Sequence, residues 1–300
     1  MIELNLPIIK QFDNGNVLVF NSENNEKVSL DTGYLHTLYG NNGTGKTTLM
    51  NILSLLTNCL YGASFDNSIL KFDNTNENKN INNTSIRENY LSFIFQDAHI
   101  INIYTVEENL KIVNDSFKYE DDLELIINKS KNLNIEKESS DYLITKLNKF
   151  ISEKHNTPYY LSGGEKQLLS FIRSMIKPSN IIFADEPWAS MDNHLKGFIE
   201  SQLYLYLSDK DIFSEIRNRN NKLSQKKVVV VISHPSQKKI GQKEFGKKDE
   251  TWKYQLPVFN NFFKNKLSKE DLKSWALNQF DQKKDKNLQV LTVERYISNE

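Results

Sequence analysis

A short run of glycines that ends in a lysine and a threonine could bind phosphate. Residues 40–47 read GNNGTGKT, which matches the phosphate-binding pattern G-x-x-x-x-G-K-[ST]. Glycines let backbone N–H groups converge on phosphates, and a helix that follows them adds the positive end of its dipole. Lys46 would then reach the β- and γ-phosphates, and the Thr47 hydroxyl would ligate Mg²⁺. The predicted contacts are Gly40, Asn41, Asn42, Gly43, Thr44, Gly45, Lys46, Thr47 and Thr48.

Two adjacent carboxylates follow an apolar run further along the chain. Residues 181–184 read IIFA, and Asp185 and Glu186 come directly after them. At the end of a buried strand the first carboxylate would hold Mg²⁺, directly or through water, and the second would polarise an attacking water. An acidic pair after an apolar strand is common in α/β proteins, so this signal is weak when it stands alone.

The spacing of apolar residues predicts the elements that position these groups. Residues 2–20 and 27–39 hold short apolar runs broken by Asn-Gly and Asn-Asn pairs, which is typical of strands joined by turns. Residues 47–60 have helical spacing, and residues 121–151 repeat apolar side chains every three or four positions, which predicts helices. The β-branched run at residues 228–232 is typical of a buried parallel strand. Strands that alternate with helices indicate an α/β sheet.

One seven-residue segment points to a family. Residues 161–167 read LSGGEKQ and resemble the signature sequence of ATP-binding-cassette (ABC) ATPases at every position. In that family the serine and glycine amides at a helix start contact the γ-phosphate of a nucleotide held by the opposite subunit, which again offers a helix N-terminus to an anion. The resemblance therefore implies ATP contacts from Ser162, Gly163, Gly164 and Glu165.

Further positions match the family in the expected order. Gln96 resembles the Q-loop glutamine, which touches Mg²⁺ or the lytic water, and His234 resembles the switch histidine that contacts the γ-phosphate. Residues 190–192 (SMD) resemble the D-loop that crosses the dimer. Phe12 resembles the aromatic residue that stacks on adenine, although a core role fits it almost as well. The implied catalytic residues are Glu186, His234 and Gln96, and the implied metal ligands are Thr47, Gln96 and Asp185.

The sequence departs from the family pattern at three places. Leu168 stands where the family often has arginine, and Trp188 stands where a smaller residue is usual. The interval between Glu186 and His234 is longer than the family norm, which indicates an insertion at residues 210–227. These changes bear on the surface of the protein and on how its site is coupled to a partner, and they leave the phosphate chemistry intact.

The resemblance covers about residues 1–240 and implies an α/β fold for this ABC ATPase domain. It implies a P-loop NTPase core with a mostly parallel sheet, an antiparallel β edge, and an inserted α-helical signature subdomain at about residues 100–165.

Residues 241–300 are predicted to form a C-terminal extension that is partly helical. Ser268 and Asp271 resemble a helix N-cap before residues 272–280. The tract at residues 74–83, NTNENKNINN, is too polar to bury itself and is predicted to be an exposed loop.

Composition gives no charge-based reason to expect a nucleic-acid or membrane partner. Lys plus Arg and Asp plus Glu both total 38. Basic residues outnumber acidic ones between residues 217 and 253, which could serve RNA or an anionic membrane, but a solvated surface is the simpler interpretation. The single Cys59 cannot form an internal disulfide, which fits a reducing cytosol. No run approaches the ~18–20 apolar residues that cross a bilayer, so any membrane-spanning part is expected in another polypeptide.

The family resemblance implies an ATPase that works as a pair of cassettes. The glycine run and the signature face each other in the family only between subunits, so one chain alone should hydrolyse ATP poorly. A second cassette, identical or different, would complete the site around Mg-ATP, and Glu186 would assist the attack of water. General-base assistance is worth on the order of 10²–10⁴-fold.

Two uses of ATP binding and hydrolysis by such a pair remain open. Residues 87–110 resemble importer and exporter cassettes, and FADEP at residues 183–187 resembles lipoprotein-releasing and macrolide exporters. These two resemblances favour a transporter subunit at the cytoplasmic face of the membrane, docked through residues 98–104 to a separate transmembrane permease. The alternative is a soluble ABC ATPase that acts on nucleic acid or a protein complex, which the single cassette and the lack of coiled-coil arms disfavour. A regulator that binds ATP without turnover is disfavoured because the catalytic residues are present.

Overall fold

The described residues form one eleven-stranded sheet with helices packed against it, as seen in a computed structural model. The structure describes residues 2–21, 28–58, 61–67, 70–73, 83–133, 135–189, 191–219, 227–233, 246–262, 268, 271 and 289–298. The strands are β1 (Ile2–Gln11), β2 (Asn16–Phe20), β3 (Val28–Leu30), β4 (Leu35–Tyr39), β5 (Tyr61–Asn67), β6 (Leu70–Asp73), β7 (Leu91–Ile94), β8 (Ile181–Asp185), β9 (Val228–Ser233), β10 (Gly246–Phe262) and β11 (Gln289–Ser298).

The sheet has a parallel half and an antiparallel half that meet at β4. In the parallel half the order is β4-β9-β8-β7, and every residue of β9 is buried, as expected for a central strand covered on both faces. In the antiparallel half the order is β6-β5-β1-β2-β10-β11, with β3 paired to β1. The predicted parallel strands and antiparallel β edge are therefore both present, but the described sheet is not mostly parallel, since seven of its ten strand pairings are antiparallel.

The helices pack on the sheet in two apolar clusters. Residues of β8 alternate between them, since Ile182 and Ala184 join one cluster and Phe183 joins the other.

None of the described helices combines the length and the apolarity needed to cross a bilayer. The helices are α1 (Lys46–Leu53), α2 (Asn83–Tyr90), α3 (Val106–Lys111), α4 (Tyr119–Ser130), α5 (Lys137–Ser152), α6 (Gly163–Ile176), α7 (Asn193–Tyr206) and α8 (Ser214–Arg217), with a 3₁₀ turn at Pro158–Tyr160.

The region predicted to be helical, about residues 100–165, contains α3, α4, α5 and the 3₁₀ turn. Helix α5 has the amphipathic spacing that its sequence predicts. Leu143, Leu147 and Phe150 are fully buried on the face that packs with α4 and α7. Lys146 and Lys149 lie on another face and contact the start of α6.

The two described strands of residues 241–300 belong to the same sheet as the rest of the chain. Strand β10 pairs with β11 and β2, and β11 pairs with β4, so the predicted boundary at residue 240 falls inside one sheet. The described part of this region is mainly strand rather than helix, because Leu256, Val258, Leu291 and Val293 are buried in the core. The Ser268 hydroxyl accepts the Asp271 N–H at 3.1 Å, whereas the predicted helix that follows lies outside the described residues.

The predicted insertion at residues 210–227 contains two buried cations that form ion pairs. Arg217 and Lys227 have fully buried side chains. Arg217 donates to Asp209 at 2.9 Å and to Asp211 at 2.6 Å, and Lys227 also pairs with Asp209. Both cations therefore lie in the interior and do not contribute to a basic surface.

Some of the sequence predictions concern residues that the structure does not describe. Cys59, Ser190, His234 and residues 74–82 of the predicted exposed loop lie outside the described residues.

Candidate functional site

The glycine run forms a tight loop between β4 and α1. Gly43 and Gly45 have φ values of 82° and 77°, in the left-handed region that favours glycine. A Cβ at Gly45 would lie 2.6 Å from Leu18 and 2.9 Å from Phe20. The loop therefore packs closely on β2 and presents its backbone rather than side chains.

The helix after this loop begins without a side-chain cap. Gly45 is the N-cap residue of α1 and has no side chain to accept the N–H groups of the first turn, which lack intrahelical partners. The Thr44 hydroxyl instead donates back to the Asn41 carbonyl at 2.9 Å. A helix start of this kind favours an anion, because N–H groups and the helix dipole act together.

Lys46 lies against the carbonyls of its own loop. It is 8% exposed, and its Nζ donates to the carbonyl oxygens of Gly40 at 2.8 Å and Asn41 at 3.0 Å. Burial lowers the pKa of Lys46, and attraction to Glu186 and Asp185 opposes that effect. The two carboxylates therefore favour the charged form of the lysine.

A hydroxyl from α1 and a carboxylate from β8 meet beside the loop. Thr47 Oγ1 donates to Asp185 Oδ2 at 3.0 Å. Burial raises the pKa of Asp185, while the Thr47 hydrogen bond and Lys46 act in the opposite direction. Hydroxyl and carboxylate oxygens are ligands that Mg²⁺ prefers. Thr47 and Asp185 therefore have the chemistry of a magnesium site.

Glu186 has an unusual backbone conformation for a residue with a side chain. Its φ is 43°, a left-handed value that costs on the order of 1–3 kcal/mol and is often found at functional sites. Its N–H donates to the Ile232 carbonyl of β9 at 3.2 Å, and its carbonyl accepts the Ala189 N–H at 2.9 Å. Bonds on both sides of Glu186 therefore hold this conformation at the end of β8.

These groups share one cavity of about 740 Å³. Phe12 lies on its wall with 36% of the residue exposed, so its ring is available to stack on a base. Gly40, Asn41 and Thr44 shape the loop but are not lining residues. The lining residues are Phe12, Asn14, Asn16, Leu18, Asn42, Gly43, Gly45, Lys46, Thr47, Thr48, Gln96, Asp185, Glu186 and Ile232.

The turn between β1 and β2 adds lining side chains that the sequence motifs did not identify. Asn14, Asn16 and Leu18 reach the cavity because the turn folds back beside Phe12. The Phe12 N–H donates to the Asn16 carbonyl at 2.8 Å, which closes the turn. The Asn14-Gly15 pair predicted a turn but carried no signal that it would border a binding site.

The signature residues begin a different helix. Ser162 is the N-cap residue of α6, and its Oγ accepts the Glu165 N–H at 3.3 Å. The Glu165 carboxylate accepts the Ser162 N–H at 2.9 Å, which completes a capping box. Gly163 and Gly164 follow in the first turn. Although all four residues are described, they do not line the cavity of their own chain.

A side chain of α6 contacts the segment that borders the cavity. Gln167 Nε2 donates to the Phe95 carbonyl at 2.8 Å, and the next residue, Gln96, lines the cavity. The Ser174 hydroxyl donates to the Phe93 carbonyl from a later turn of α6. The end of β7 is therefore fastened to the helix that the signature starts.

Comparison with known proteins identifies the family that combines these features. The family model described as ABC transporter matches residues 24–189. The lipoprotein-releasing system ATP-binding protein LolD of Ehrlichia canis is 30% identical over 224 residues, which are 72% of this chain and 92% of that protein. This chain belongs to the ABC transporter family. It is an ATP-binding cassette and an ATPase.

Two further ABC proteins resemble this chain. The putative hemin import ATP-binding protein HrtA of Staphylococcus haemolyticus is 29% identical over 72% of this chain and 89% of its own length. A solved dimeric cassette of a bacterial ABC transporter is 20% identical, covers 77% of this chain and 88% of its own, and has a TM-score of 0.49.

Two of the three departures from the ABC sequence pattern lie in or against the apolar core of this cassette. Leu168 is fully buried in α6, and Trp188 packs against the same apolar cluster. Asp192, in the predicted D-loop, accepts a hydrogen bond from the Tyr142 hydroxyl of α5. In this ABC cassette, apolar packing therefore takes the place that an arginine often holds after the signature.

Proposed function

We propose that two copies of this chain pair around two Mg-ATP molecules, so that each cavity is closed by the signature helix of the other copy. The supporting observation is that Ser162–Glu165 lie outside the cavity that Lys46 lines. Since one chain carries both a phosphate loop and a signature, a two-fold pairing would complete two identical sites. A different cassette as partner is the alternative outcome.

Within each site the phosphates would replace the contacts that the phosphate loop now makes with itself. Lys46 would leave the carbonyls of Gly40 and Asn41 for the β- and γ-phosphates. The α1 N–H groups would hold the phosphate oxygens, and Phe12 would stack on adenine. Thr47, Asp185 and Gln96 would hold Mg²⁺, which would neutralise phosphate charge.

Glu186 would accept the proton of the attacking water. It lines the cavity beside Asp185, and its constrained backbone fixes the direction in which its side chain leaves the chain. The predicted switch histidine, His234, would contact the γ-phosphate from the segment that follows β9. Loss of the γ-phosphate would weaken the contact between copies and open the pair.

The pairing is tested with Glu186→Gln, which should keep ATP and trap the dimer, since the amide cannot take the proton. Light scattering should give the mass of two chains with Mg-ATP and of one chain without it. Turnover should fall by about 10²–10⁴-fold. A single-chain mass in both conditions would refute pairing of this chain with itself.

The closing and opening of the pair would drive a separate membrane permease at the cytoplasmic face of the membrane. The names of LolD and HrtA describe ATP-binding components of release and import systems. In this chain the segment after Gln96 carries Ile103, which is 84% exposed, and Ile112, which is 50% exposed. Ile112 lines a mainly apolar groove of about 360 Å³, and so does Ile101, two residues before Ile103. Such a surface suits an apolar element of a partner.

Co-purification from native membranes tests the permease. The chain should be retained with one membrane protein, and Ile103→Asp should release it while the purified cassette still hydrolyses ATP. Lys137→Asp, on the exposed start of α5, also introduces an aspartate, with a larger change of charge, away from the groove and should stay bound. A chain found only in the soluble fraction would count against this assignment.

The described residues give little support to a nucleic-acid function. Arg217 and Lys227, which belong to the basic stretch at residues 217–253, are buried in ion pairs. ATPase assays with added DNA and RNA should therefore show no stimulation and no salt-sensitive binding.

A further inference from the structure

The signature of this chain contains a buried carboxylate close to where a phosphate would arrive. Glu165 is 4% exposed and lies in the first turn of α6, three residues after Ser162. If the pairing proposed above is correct, this helix start faces a triphosphate held by the other copy. A carboxylate there would repel the phosphates unless its charge is compensated.

Two lysines of α5 supply that compensation. Lys146 Nζ lies 2.9 Å from Glu165 Oε1, and Lys149 Nζ lies 2.8 Å from Glu165 Oε2. Each oxygen of the carboxylate therefore has its own ammonium, and Oε2 also accepts the Ser162 N–H at 2.9 Å. The three side chains together carry a net charge of +1.

The ionisation of these groups agrees with the geometry. Burial by itself would raise the pKa of Glu165, but the two lysines and the Ser162 N–H hold that pKa at about 2. The Lys146 pKa is raised, chiefly by its hydrogen bond to Glu165. Glu165 is therefore ionised and Lys146 protonated at neutral pH.

The lysines are themselves held in place. They lie three positions apart on α5, whose adjacent face is anchored by Leu147 and Phe150 in the core. Lys146 Nζ is also 5.0 Å from the centre of the Tyr142 ring, and the Tyr142 hydroxyl donates to Asp192 at the start of α7. The ion cluster is therefore connected to the D-loop as well as to the signature.

We propose that Lys146 and Lys149 are positioning residues of the ATP sandwich: they neutralise Glu165 and fix its carboxylate on the Ser162 N–H, so that the α6 start accepts the γ-phosphate held by the other copy. They act through Glu165 and do not touch the nucleotide in their own chain. This inference rests on the pairing proposed above.

The test measures ATP-driven pairing in the Glu186→Gln background. The double variant Lys146→Met/Lys149→Met should raise the Mg-ATP concentration for half-maximal dimer formation by about tenfold or more. A change of this size lies within the usual range of interaction energies between residues in contact. Nucleotide binding by the isolated monomer, followed with a fluorescent ATP analogue, should be unchanged. Lys146→Arg/Lys149→Arg should preserve dimer formation, and Lys137→Met on the same helix should have no effect.

A second background separates charge compensation from simple support of the fold. When Glu165→Gln is also present there is no buried negative charge, so the methionine substitutions should change dimer formation by less than about threefold. If the lysines only support the helical region, the same loss of dimer will occur with and without the Glu165→Gln substitution, together with a lower unfolding temperature. That result would overturn the inference.

The possible failures can be distinguished. If the parent Glu186→Gln protein stays monomeric, the proposed pairing fails and this inference fails with it. If the parent forms a dimer but the lysine variants match it, only the inference fails. Should the double methionine variant not fold, Lys149→Gln alone removes one charge from the same carboxylate and must still weaken pairing.

Discussion

The two helix starts offered to phosphate are built in opposite ways. Helix α1 begins at Gly45, without a side-chain cap and inside a cavity of its own chain. Helix α6 begins at Ser162 with a complete capping box and two lysines on its carboxylate. The first has no side chain on its N–H groups, whereas in the second the capping box pairs the N–H groups of Ser162 and Glu165 without a ligand. An uncapped start suits capture of nucleotide by one chain, and a capped start suits a contact that forms only on pairing.

The largest effect expected from this comparison comes from Gly45→Ala. The added Cβ meets Leu18 and Phe20 at a left-handed φ, so unfolding free energy should fall by about 2–4 kcal/mol. ATP binding by the monomer should be lost. Urea denaturation and a nucleotide titration measure the two effects.

Gly163→Ala is the matched change at the other helix start. A Cβ there meets nothing within 4 Å, so stability and nucleotide binding by the monomer should be retained. Turnover should fall, since the methyl group would stand between the α6 amides and the phosphate of the other copy. Weaker nucleotide binding in the Gly163→Ala monomer would contradict the division of roles.

An intermediate effect is expected from Ser162→Ala, with Thr105→Ala as its control. Both residues are N-caps of complete capping boxes, at α6 and α3. Each substitution should lower the unfolding free energy by about 1 kcal/mol. Steady-state turnover should fall only in Ser162→Ala, because only that cap would face a phosphate. Equal activity of the two variants would argue against the signature contact.

The smallest effect concerns acid stability. Glu165 has a pKa held at about 2 in the fold against an ordinary value of 4.5. Its contribution is therefore present above pH 4.5 and is lost as the pH falls from 4.5 toward 2, on the order of 1–3 kcal/mol. Between pH 5 and pH 3, urea unfolding should show a smaller loss of stability for Glu165→Gln than for the natural chain. Equal losses would mean that the ion cluster does not stabilise the fold.

The glycine loop between a strand and a helix could be predicted from the sequence because its conformation is determined locally. Glycine conformations, Lys46 and Thr47 follow from eight consecutive residues, and the apolar run before Asp185 specifies a buried strand. The family resemblance placed Gln96 and Phe12, which the structure brings to the same cavity wall. The roles of these residues in catalysis stay predictions.

The late strands were missed because their identity depends on distant partners. Strand β10 contains several lysines and Pro257, which normally argues against a central strand. Pro257 is tolerated because pairing with β2 begins only at Val258, so no ladder bond on that side is lost. The lysine cluster on Glu165 was missed for a similar reason, since α5 and α6 are brought together only by packing.

The position of β11 has a consequence for protein synthesis. Strand β4, which leads into the phosphate loop, pairs with β11 on one side and with β9 on the other. While a ribosome is still translating the segment before residue 289, β4 has an open edge. Folding during translation would therefore keep the nucleotide pocket immature until β11 leaves the exit tunnel, and a nascent chain stalled earlier would be a poor competitor for cellular ATP.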